Sequence, residues 1–301
     1  MLIAMCYSRN ILLVTMISIA MKAWSAPPLA DVHVHYKWSQ KEVTSPRQAI
    51  DTLEGQGIEL AVVIGTPADY ALELKQQAPQ RIIAIWSPYR VPGDWSSWAF
   101  DRDVLERARL AMETRQFEGI GELHLIGGFS PHWQSPVIGG LAKIAAEYDV
   151  PLLLHTEISQ PDYMKGLCRA YPDTRFLWAH AGAILTPDQV SVILESCSNV
   201  WIELSARDPW RFINNPITDQ HRTLLPPWRK LIEKFSRRFM IGSDPVWPVE
   251  KLDGWEEPDT GWQQYSRFIG FHRDWLNKLS PELEQKLRLD NALEFFGKSP
   301  D

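Results

Sequence analysis

Eight short apolar runs recur along the chain, and each is followed by a turn and a longer segment of mixed polar and apolar residues. The runs are LADVHVHY, IELAVVIGT, RIIAIWSP, FEGIGELHL, VPLLLHTE, TRFLWAHAG, NVWIELSA and RRFMIGSDP, and their starts lie 23 to 38 residues apart. Apolar strands that alternate with helices are typical of parallel βαβ units, whose strands are buried on both faces. Eight such units in about 270 residues predict a (β/α)8 TIM barrel, with a doubly wound open sheet as the alternative.

Helix start signals occur in the segments between the runs. A Ser-Pro pair opens SPRQAIDTLEGQ and SPELEQKLRLDNALEFFG, and a Thr-Pro pair opens TPDQVSVILESC, so that a hydroxyl cap precedes a proline at the first helical position. DRDVLERARLAMETRQ has apolar residues at helical spacing. Residues 88–98 and 206–228 are rich in Trp, Pro and Arg and are interpreted as long loops, which in a barrel carry function when they lie at the C-terminal face.

The N-terminal 25 residues differ in composition from the rest of the chain. An apolar run of eleven residues, ILLVTMISIAM, follows Arg9 and precedes KAWSAPP, which supplies small residues and a proline break. This order is typical of a secretory signal peptide, and the apolar run is too short to cross a bilayer as a helix. We therefore expect a signal peptide at 1–25, a secreted or periplasmic protein, and a single barrel domain at 26–301. A short N-terminal anchor or an interfacial helix is the alternative.

Three cysteines bear on the compartment. Cys6 lies in the expected signal peptide and would be removed with it. Cys168 and Cys197 remain, which is an even pair for a compartment that permits disulfides. The sequence is compatible both with a disulfide between these two cysteines and with two buried thiols.

The charge balance argues against a nucleic-acid partner. The formal net charge is −6, and the lysines and arginines are spread along the chain, whereas a nucleic-acid surface needs a basic stripe. The sequence contains no G-x-S-x-G elbow, no P-loop and no G-x-G-x-x-G motif. We expect a small-molecule substrate and no stable membrane span, and the sequence does not indicate an oligomeric state.

Polar side chains stand at the C-terminal ends of the predicted strands. They are His33 and His35 in the first run, Glu122 and His124 in the fourth, His155 in the fifth, His180 in the sixth and Asp244 in the eighth. Residues i and i+2 of a strand share a face, so His33 and His35 project side by side. One histidine alone fits a core residue that is hydrogen-bonded to backbone. The whole set, which a barrel directs to one mouth, favours a divalent metal site.

The motifs DVHVHY, LLLHTE, LWAHAG and IGSDP, in that order, resemble those of the amidohydrolase superfamily, in its amidohydrolase-related branch. LRLDNALEFFG is similar to the final helix of that branch, and the resemblance covers essentially residues 28–298. It implies a metal-dependent hydrolase with a barrel fold. It implies His33, His35 and His155 as ligands, Asp244 as ligand and proton shuttle, and His180 as ligand of a second metal or as a group that polarises the substrate.

Glu122 stands where many two-metal members of the superfamily have a carboxylated lysine on the fourth strand. It resembles the strand-four glutamate of the metal-dependent deoxyribonuclease branch, and a carboxylate can bridge two cations about 3.5–4 Å apart. We expect Glu122 to be a metal ligand. The alternative is that it contacts the ligands or the substrate, or forms a salt bridge. One or two divalent ions per chain are expected, with Zn²⁺ as the first candidate.

The expected chemistry follows from these ligands. A divalent metal lowers the pKa of a bound water from 15.7 to about 7, and Asp244 would take the proton of that water and pass it to the leaving group. This favours hydrolysis of a small amide, lactone or ester. The alternatives are non-oxidative decarboxylation, which the same branch contains, phosphodiester hydrolysis, which Glu122 suggests, and a secreted metal-binding protein without turnover.

Two further residues are candidates for substrate contacts. Arg207, in LSARDPW after the seventh run, can hold a substrate carboxylate bidentately, or can form a surface ion pair with Asp208. His124 can line the pocket, or can lie exposed in a loop.

Overall fold

The computed structural model describes residues 27–125, 131–156, 161–211, 215–249 and 257–299. Within these ranges a parallel strand forms in each of the eight apolar runs, as predicted. The strands are β1 (Leu29–Lys37), β2 (Ile58–Thr66), β3 (Ile82–Ile85), β4 (Ile120–His124), β5 (Leu152–His155), β6 (Phe176–Trp178), β7 (Val200–Glu203) and β8 (Phe239–Met240).

Helices separate the strands, and several begin at the predicted caps. The helices are α1 (Trp38–Lys41), α2 (Pro46–Gly55), α3 (Asp69–Gln77), α4 (Val104–Glu113), α5 (Pro136–Glu147), α6 (Pro161–Ala170), α7 (Pro187–Ser196), α8 (Pro226–Lys234), α9 (Tyr265–Leu276), α10 (Pro281–Gln285) and α11 (Asn291–Phe295), with a π-helical turn over Lys286–Asp290. The hydroxyls of Ser45 and Thr186 each accept a hydrogen bond from the backbone N–H three residues on. These bonds satisfy one of the unpaired donors at the start of α2 and of α7.

The strands pair in sequence order, β1-β2-β3 in one ladder and β4 to β8 in the other. Backbone hydrogen bonds connect the two ladders at both junctions. Trp86, just after β3, donates its N–H to Gly119 O (2.9 Å), and Val32 of β1 donates its N–H to Ile241 O after β8 (2.8 Å). A sequential order around a closed ring is the predicted barrel, whereas a doubly wound sheet reverses its strand order.

Two apolar clusters occupy the two sides of the strands. The larger lies between the strands and the surrounding helices. The smaller brings together Val32 of β1, Val62 of β2, Leu153 of β5 and Met240 of β8 with Phe295 of α11. Side chains from strands around the whole ring meet there only if they face one another, so this cluster fills the interior of the barrel.

Two register shifts direct the polar residues toward the interior. One lies between Asp31 and Val34 of β1, and the other lies between Ile120 and Leu123 of β4. Val32 belongs to the inner cluster and Val34 to the outer one, so the alternation of faces changes at this point of β1. Irregularities of this kind re-aim side chains beside active sites. Here His33 lies within the first shift and Glu122 lies within the second.

The two cysteines outside the expected signal peptide are paired. Cys168 of α6 and Cys197, which follows α7, form a disulfide with their Cα atoms 5.9 Å apart. In the part of the chain that the structure describes, no helix has the length and apolarity to cross a membrane. The expected signal peptide at 1–25 lies outside the described residues.

Candidate metal centre

The polar residues predicted at the strand ends converge at one end of the barrel around the carboxylate of Glu122. They are His33 and His35 of β1, Glu122 and His124 of β4, His155 of β5, His180 after β6 and Asp244 after β8. Glu122 is almost fully buried, and each of its two oxygens contacts imidazole nitrogens from different strands. The structure therefore brings all the predicted ligands into one cluster.

One oxygen of Glu122, Oε2, lies with residues from β1 and β8. It is 3.3 Å from His33 Nε2 and 3.1 Å from His35 Nε2, and those two nitrogens are 3.2 Å apart. Asp244 Oδ1 lies 3.5 Å from His35 Nε2. A tetrahedral Zn²⁺ with bonds of about 2.0–2.1 Å keeps its ligands about 3.3 Å apart, which is close to these distances. We call this group (His33, His35, Asp244 and Glu122 Oε2) the β1–β8 position.

The other oxygen of Glu122, Oε1, lies with residues from β5 and β6. It is 2.9 Å from His155 Nδ1 and 3.4 Å from His180 Nε2, and those two nitrogens are 3.1 Å apart. This second triangle also has edges near the ligand separation of a tetrahedral cation, about 3.3 Å. We call the group (His155, His180 and Glu122 Oε1) the β5–β6 position. Glu122 is the residue that the two positions share.

The charges at the centre fit a divalent cation. Burial raises the pKa of Glu122, but the attraction of His33 and the other imidazoles outweighs burial and holds the pKa well below its usual range. Burial lowers the pKa of His33, but the carboxylates of Glu122 and Glu203 raise it well above its usual range. The two directions agree in pairing the buried carboxylates with positive charge at the centre. A metal ion bound by neutral imidazoles and carboxylates supplies that charge.

The backbone at two of the polar residues adopts an uncommon conformation. His180 has φ 58° and Asp244 has φ 45°, both in the left-handed region that non-glycine residues rarely occupy. Residues held in this way cluster at functional sites. The turns after β6 and β8 therefore hold these two side chains toward the centre at some cost in backbone energy.

Glu203, the last residue of β7, is a site residue that the sequence reasoning did not single out. It is fully buried, and Oε1 accepts a hydrogen bond from His33 Nδ1 at 2.9 Å. Burial raises its pKa, but His33 and the hydrogen bond from that ring outweigh burial and lower the pKa to about 2. A signal was present in the sequence, because a glutamate inside the apolar run NVWIELSA resembles Glu122 inside FEGIGELHL.

Arg211 is the second site residue that the sequence reasoning missed. Its guanidinium donates to Asp208 Oδ2 (2.9 Å), to Asp244 Oδ2 (3.3 Å) and to the carbonyl oxygen of Ser243 (3.0 Å). Burial raises the pKa of Asp244, but Arg211 and the neighbouring imidazoles outweigh burial and lower it below its usual range. Arg211 thus holds Oδ2 of Asp244, while Oδ1 faces the β1–β8 position.

Arg207 is neither placed to hold a substrate carboxylate nor paired with Asp208 at the surface. It is 1% exposed, and its guanidinium donates to the carbonyl oxygens of His180 (2.6 Å), Ala181 (2.8 Å) and Asn215 (3.1 Å). Burial lowers its pKa to about 9. Arg207 therefore supports the turn that carries His180. The ion pair with Asp208, which was the alternative for Arg207, is made by Arg211.

His124 lies at the edge of the centre. Its Nδ1 is 2.8 Å from the buried hydroxyl of Tyr89, and its Nε2 is 3.7 Å from Glu122 Oε2. Burial is the main cause that lowers its pKa to about 3, so the ring is neutral at physiological pH. The structure thus places His124 beside Glu122 at the edge of the centre, and its role as a substrate contact stays a prediction.

Comparison with protein families gives one family for almost the whole chain. The family model described as amidohydrolase matches residues 22–298. Comparison with curated proteins gave no match.

Comparison with solved structures gives relatives over the whole length of their chains. A Pseudomonas putida protein to which 2-pyrone-4,6-dicarboxylic acid hydrolase activity is attributed has a TM-score of 0.62 and 20% identity, covering 91% of this chain and 99% of its own. A Burkholderia multivorans amidohydrolase with bound zinc has a TM-score of 0.55 and 14% identity, covering 90% and 100%. The 5-carboxyvanillate decarboxylase of Novosphingobium aromaticivorans, complexed with manganese and 4-hydroxy-3-methoxy-5-nitrobenzoic acid, has a TM-score of 0.55 and 13% identity, covering 89% and 96%. These similarities confirm the fold.

Proposed function

The chain belongs to the amidohydrolase family and is an enzyme, and from this premise we propose that it hydrolyses a small amide, lactone or ester with a metal-activated water. The observation that carries the proposal is the place of Asp244. Its Oδ1 lies 3.5 Å from His35 Nε2 at the β1–β8 position, and Arg211 holds its other oxygen. A carboxylate fixed beside metal ligands is suited to take a proton from water.

The β1–β8 and β5–β6 positions would each hold a divalent cation, with Glu122 as the bridge between them. When bound, the cation lowers the pKa of water from 15.7 to about 7 and polarises the scissile carbonyl group. Imidazole and carboxylate donors suit Zn²⁺, which is our first candidate. The support for two positions is that each oxygen of Glu122 belongs to its own set of imidazole nitrogens.

The side chains of the protein supply the proton transfers and the orientation. Asp244 accepts the proton of the attacking water at Oδ1, because Oδ2 is engaged by Arg211 at 3.3 Å. The same oxygen then delivers the proton to the leaving nitrogen or oxygen. His180 presents Nε2 to the centre from the opposite side of Glu122, where it can act as a cation ligand or polarise the substrate.

The charged side chains of the site, taken without the cations, favour a neutral substrate. Three buried carboxylates, those of Glu122, Glu203 and Asp244, surround the centre. Among the described residues, Arg211 is the guanidinium that contacts one of them, and it is also paired with Asp208. A neutral amide, lactone or ester needs no cationic side chain to bind, whereas a phosphodiester or a carboxylated aromatic substrate would depend on the bound cations to receive its charge.

A substrate panel with controlled metal content tests the proposal. The purified chain is loaded with Zn²⁺ or Mn²⁺ and assayed on esters, lactones and amides, on bis(p-nitrophenyl) phosphate, and on carboxylated phenols with detection of CO₂. We expect hydrolysis in the first group, its loss on chelation, and its return with added metal. Release of CO₂ without hydrolysis of the neutral substrates would contradict the proposal and support a decarboxylase. Turnover of the phosphodiester alone would support a phosphodiesterase.

We also propose that the protein is exported. The support is the order of charged, apolar and small residues in 1–25, together with the Cys168–Cys197 disulfide, since disulfides persist in oxidising compartments. N-terminal sequencing of protein from its native host should begin near residue 26. An intact Met1 on the mature protein would contradict export by this route.

A further inference from the structure

A single buried carboxylate lies behind both cation positions. Glu203 Oε1 is 2.9 Å from Nδ1 of His33, which belongs to the β1–β8 position. The same oxygen is 3.0 Å from the hydroxyl of Ser205, and that hydroxyl is 2.8 Å from Nδ1 of His180, which belongs to the β5–β6 position. Glu203 and Ser205 are both at most 1% exposed, so water does not replace these bonds.

The first branch of this network sets the protonation of His33. The two oxygens of Glu203 accept backbone N–H groups, Oε1 from His180 (2.8 Å) and Oε2 from Ser205 (2.6 Å), so the group acts as an acceptor on both sides. The nitrogen facing it, Nδ1 of His33, must therefore carry a hydrogen and donate it. In the neutral ring this leaves the lone pair on Nε2, which faces Glu122 and His35. That is the atom a cation requires.

The second branch sets the protonation of His180 through one hydroxyl. Ser205 has a single O–H hydrogen, and it donates this hydrogen to Glu203. Its oxygen can then only accept from Nδ1 of His180, so His180 carries its hydrogen on Nδ1 as well. The lone pair of His180 is thereby placed on Nε2, which lies 3.4 Å from Glu122 Oε1.

We propose that Glu203 is a positioning residue for both cation positions, acting directly on His33 and acting on His180 mainly through the hydroxyl of Ser205, since the direct distance from Glu203 Oε1 to His180 Nδ1 is longer, at 3.4 Å. The inference rests on the proposed metal-dependent function and adds that one carboxylate fixes one ligand of each position. It predicts an asymmetry between two neighbouring variants. Loss of the Ser205 hydroxyl affects His180 alone, whereas loss of the acceptor at Glu203 affects both His33 and His180.

Zinc titrations of four proteins test this asymmetry. They are the wild type, Ser205→Ala, Ser205→Thr, which keeps the hydroxyl, and Glu203→Gln, which keeps the shape but places an amide where an acceptor was. Stepwise dissociation constants are measured with a competing chelator. His35→Ala and His155→Ala, each of which removes a ligand of one position only, assign the two binding steps.

Changes in groups that orient metal ligands lower metal affinity about 10–100-fold. We expect Ser205→Ala to weaken the β5–β6 step by that factor and to leave the β1–β8 step within about threefold, with Ser205→Thr close to wild type. Glu203→Gln should weaken both steps. Because Ser205 acts through Glu203, the double variant should bind at the β5–β6 position no worse than Glu203→Gln alone.

The position of the hydrogen on each imidazole ring can be measured by NMR, and this test does not require Glu203→Gln to fold. In ¹⁵N-histidine-labelled, zinc-loaded protein, long-range ¹H–¹⁵N correlation spectra should show hydrogen on Nδ1 of His33 and His180. Ser205→Ala should change the pattern of His180 and not that of His33. A wild type that binds two ions while Ser205→Ala leaves both affinities unchanged, or weakens both equally, would overturn this inference alone. A wild type that binds no divalent ion would instead remove the proposed function.

Discussion

The β1–β8 and β5–β6 positions are alike in their imidazoles and differ in their carboxylates. Each position pairs a deeply buried histidine with one whose side chain is about 12% exposed. The buried histidine is His33 at the β1–β8 position and His180 at the β5–β6 position, and the more exposed one is His35 or His155, respectively. The β1–β8 position has a second carboxylate, that of Asp244, whereas the β5–β6 position has only its share of Glu122. The first position thus has a carboxylate of its own, whereas the described ligands of the second add none beyond Glu122.

The groups that hold the ligands of the two positions also differ in charge. Asp244 is held by the buried guanidinium of Arg211, which is itself held by Asp208. His180 is held by the neutral hydroxyl of Ser205 and by a turn that the guanidinium of Arg207 supports. The side of the site proposed for acid–base chemistry is therefore organised by ion pairs, whereas the other side is organised mainly by hydrogen bonds.

The largest expected effect comes from removing the proposed base, Asp244, at the β1–β8 position. Asp244→Asn keeps the shape and one oxygen donor but cannot accept a proton at neutral pH, so turnover should fall about 10²–10⁴-fold, the contribution typical of a general base. Metal content, measured by mass spectrometry of the purified protein, should stay close to wild type. His33→Ala is the contrasting variant and should lose metal together with activity. Near-normal turnover of Asp244→Asn would refute the assignment and make His180 the next candidate.

The next effect concerns the ion pairs behind that base. Arg211→Met leaves Asp208 and Asp244 buried without their cationic partner, and breaking a buried pair in this way costs about 3–5 kcal/mol of unfolding free energy. Urea unfolding of the metal-free protein measures it. Arg229→Met removes an arginine whose ion pair with Glu233 is about half exposed, and as a control it should cost less than about 1 kcal/mol. Equal costs for the two variants would mean that Arg211 does not support the β1–β8 side as described.

The smallest effect is the difference in affinity between the two positions. The extra carboxylate of Asp244 should make the β1–β8 position bind a divalent cation at least about tenfold more tightly, which corresponds to about 1.4 kcal/mol. Titration with a graded chelator should therefore empty the β5–β6 position first, and Asp244→Asn should reduce the gap. Simultaneous loss of both ions from the wild type would show that the two positions are equivalent in affinity despite their different ligands.

Much of this architecture could be predicted because its signals are local. An apolar run that ends in His, Glu or Asp marks a strand and the polar end of that strand, and a barrel then brings such ends together without further information. This is why His33, His155, His180 and Asp244 could be placed near one another from the sequence. The Ser-Pro and Thr-Pro helix starts were equally local, and the structure confirms them.

The parts that could not be predicted depend on tertiary structure. Glu203 and Glu122 have the same local pattern, but only the fold shows that Glu203 Oε1 lies 2.9 Å from Nδ1 of His33 and 3.4 Å from Nδ1 of His180. The choice between Arg207 and Arg211 depends on the path of the irregular segment after β7, which has no periodic pattern to reveal it. The register shifts of β1 and β4, which turn the site residues to the interior, leave no mark in a sequence of alternating apolar residues.

We propose that Glu122 joins the two cation positions, and the number of metal ions bound per chain tests this. Zinc per chain is measured by mass spectrometry after equilibration with excess Zn²⁺ and removal of the unbound metal, for wild type and for Glu122→Gln. A bridging carboxylate predicts about two ions in the wild type and about one in the variant, because the amide can serve only one position. One ion in the metal-replete wild type, or two ions retained in Glu122→Gln, would contradict the claim.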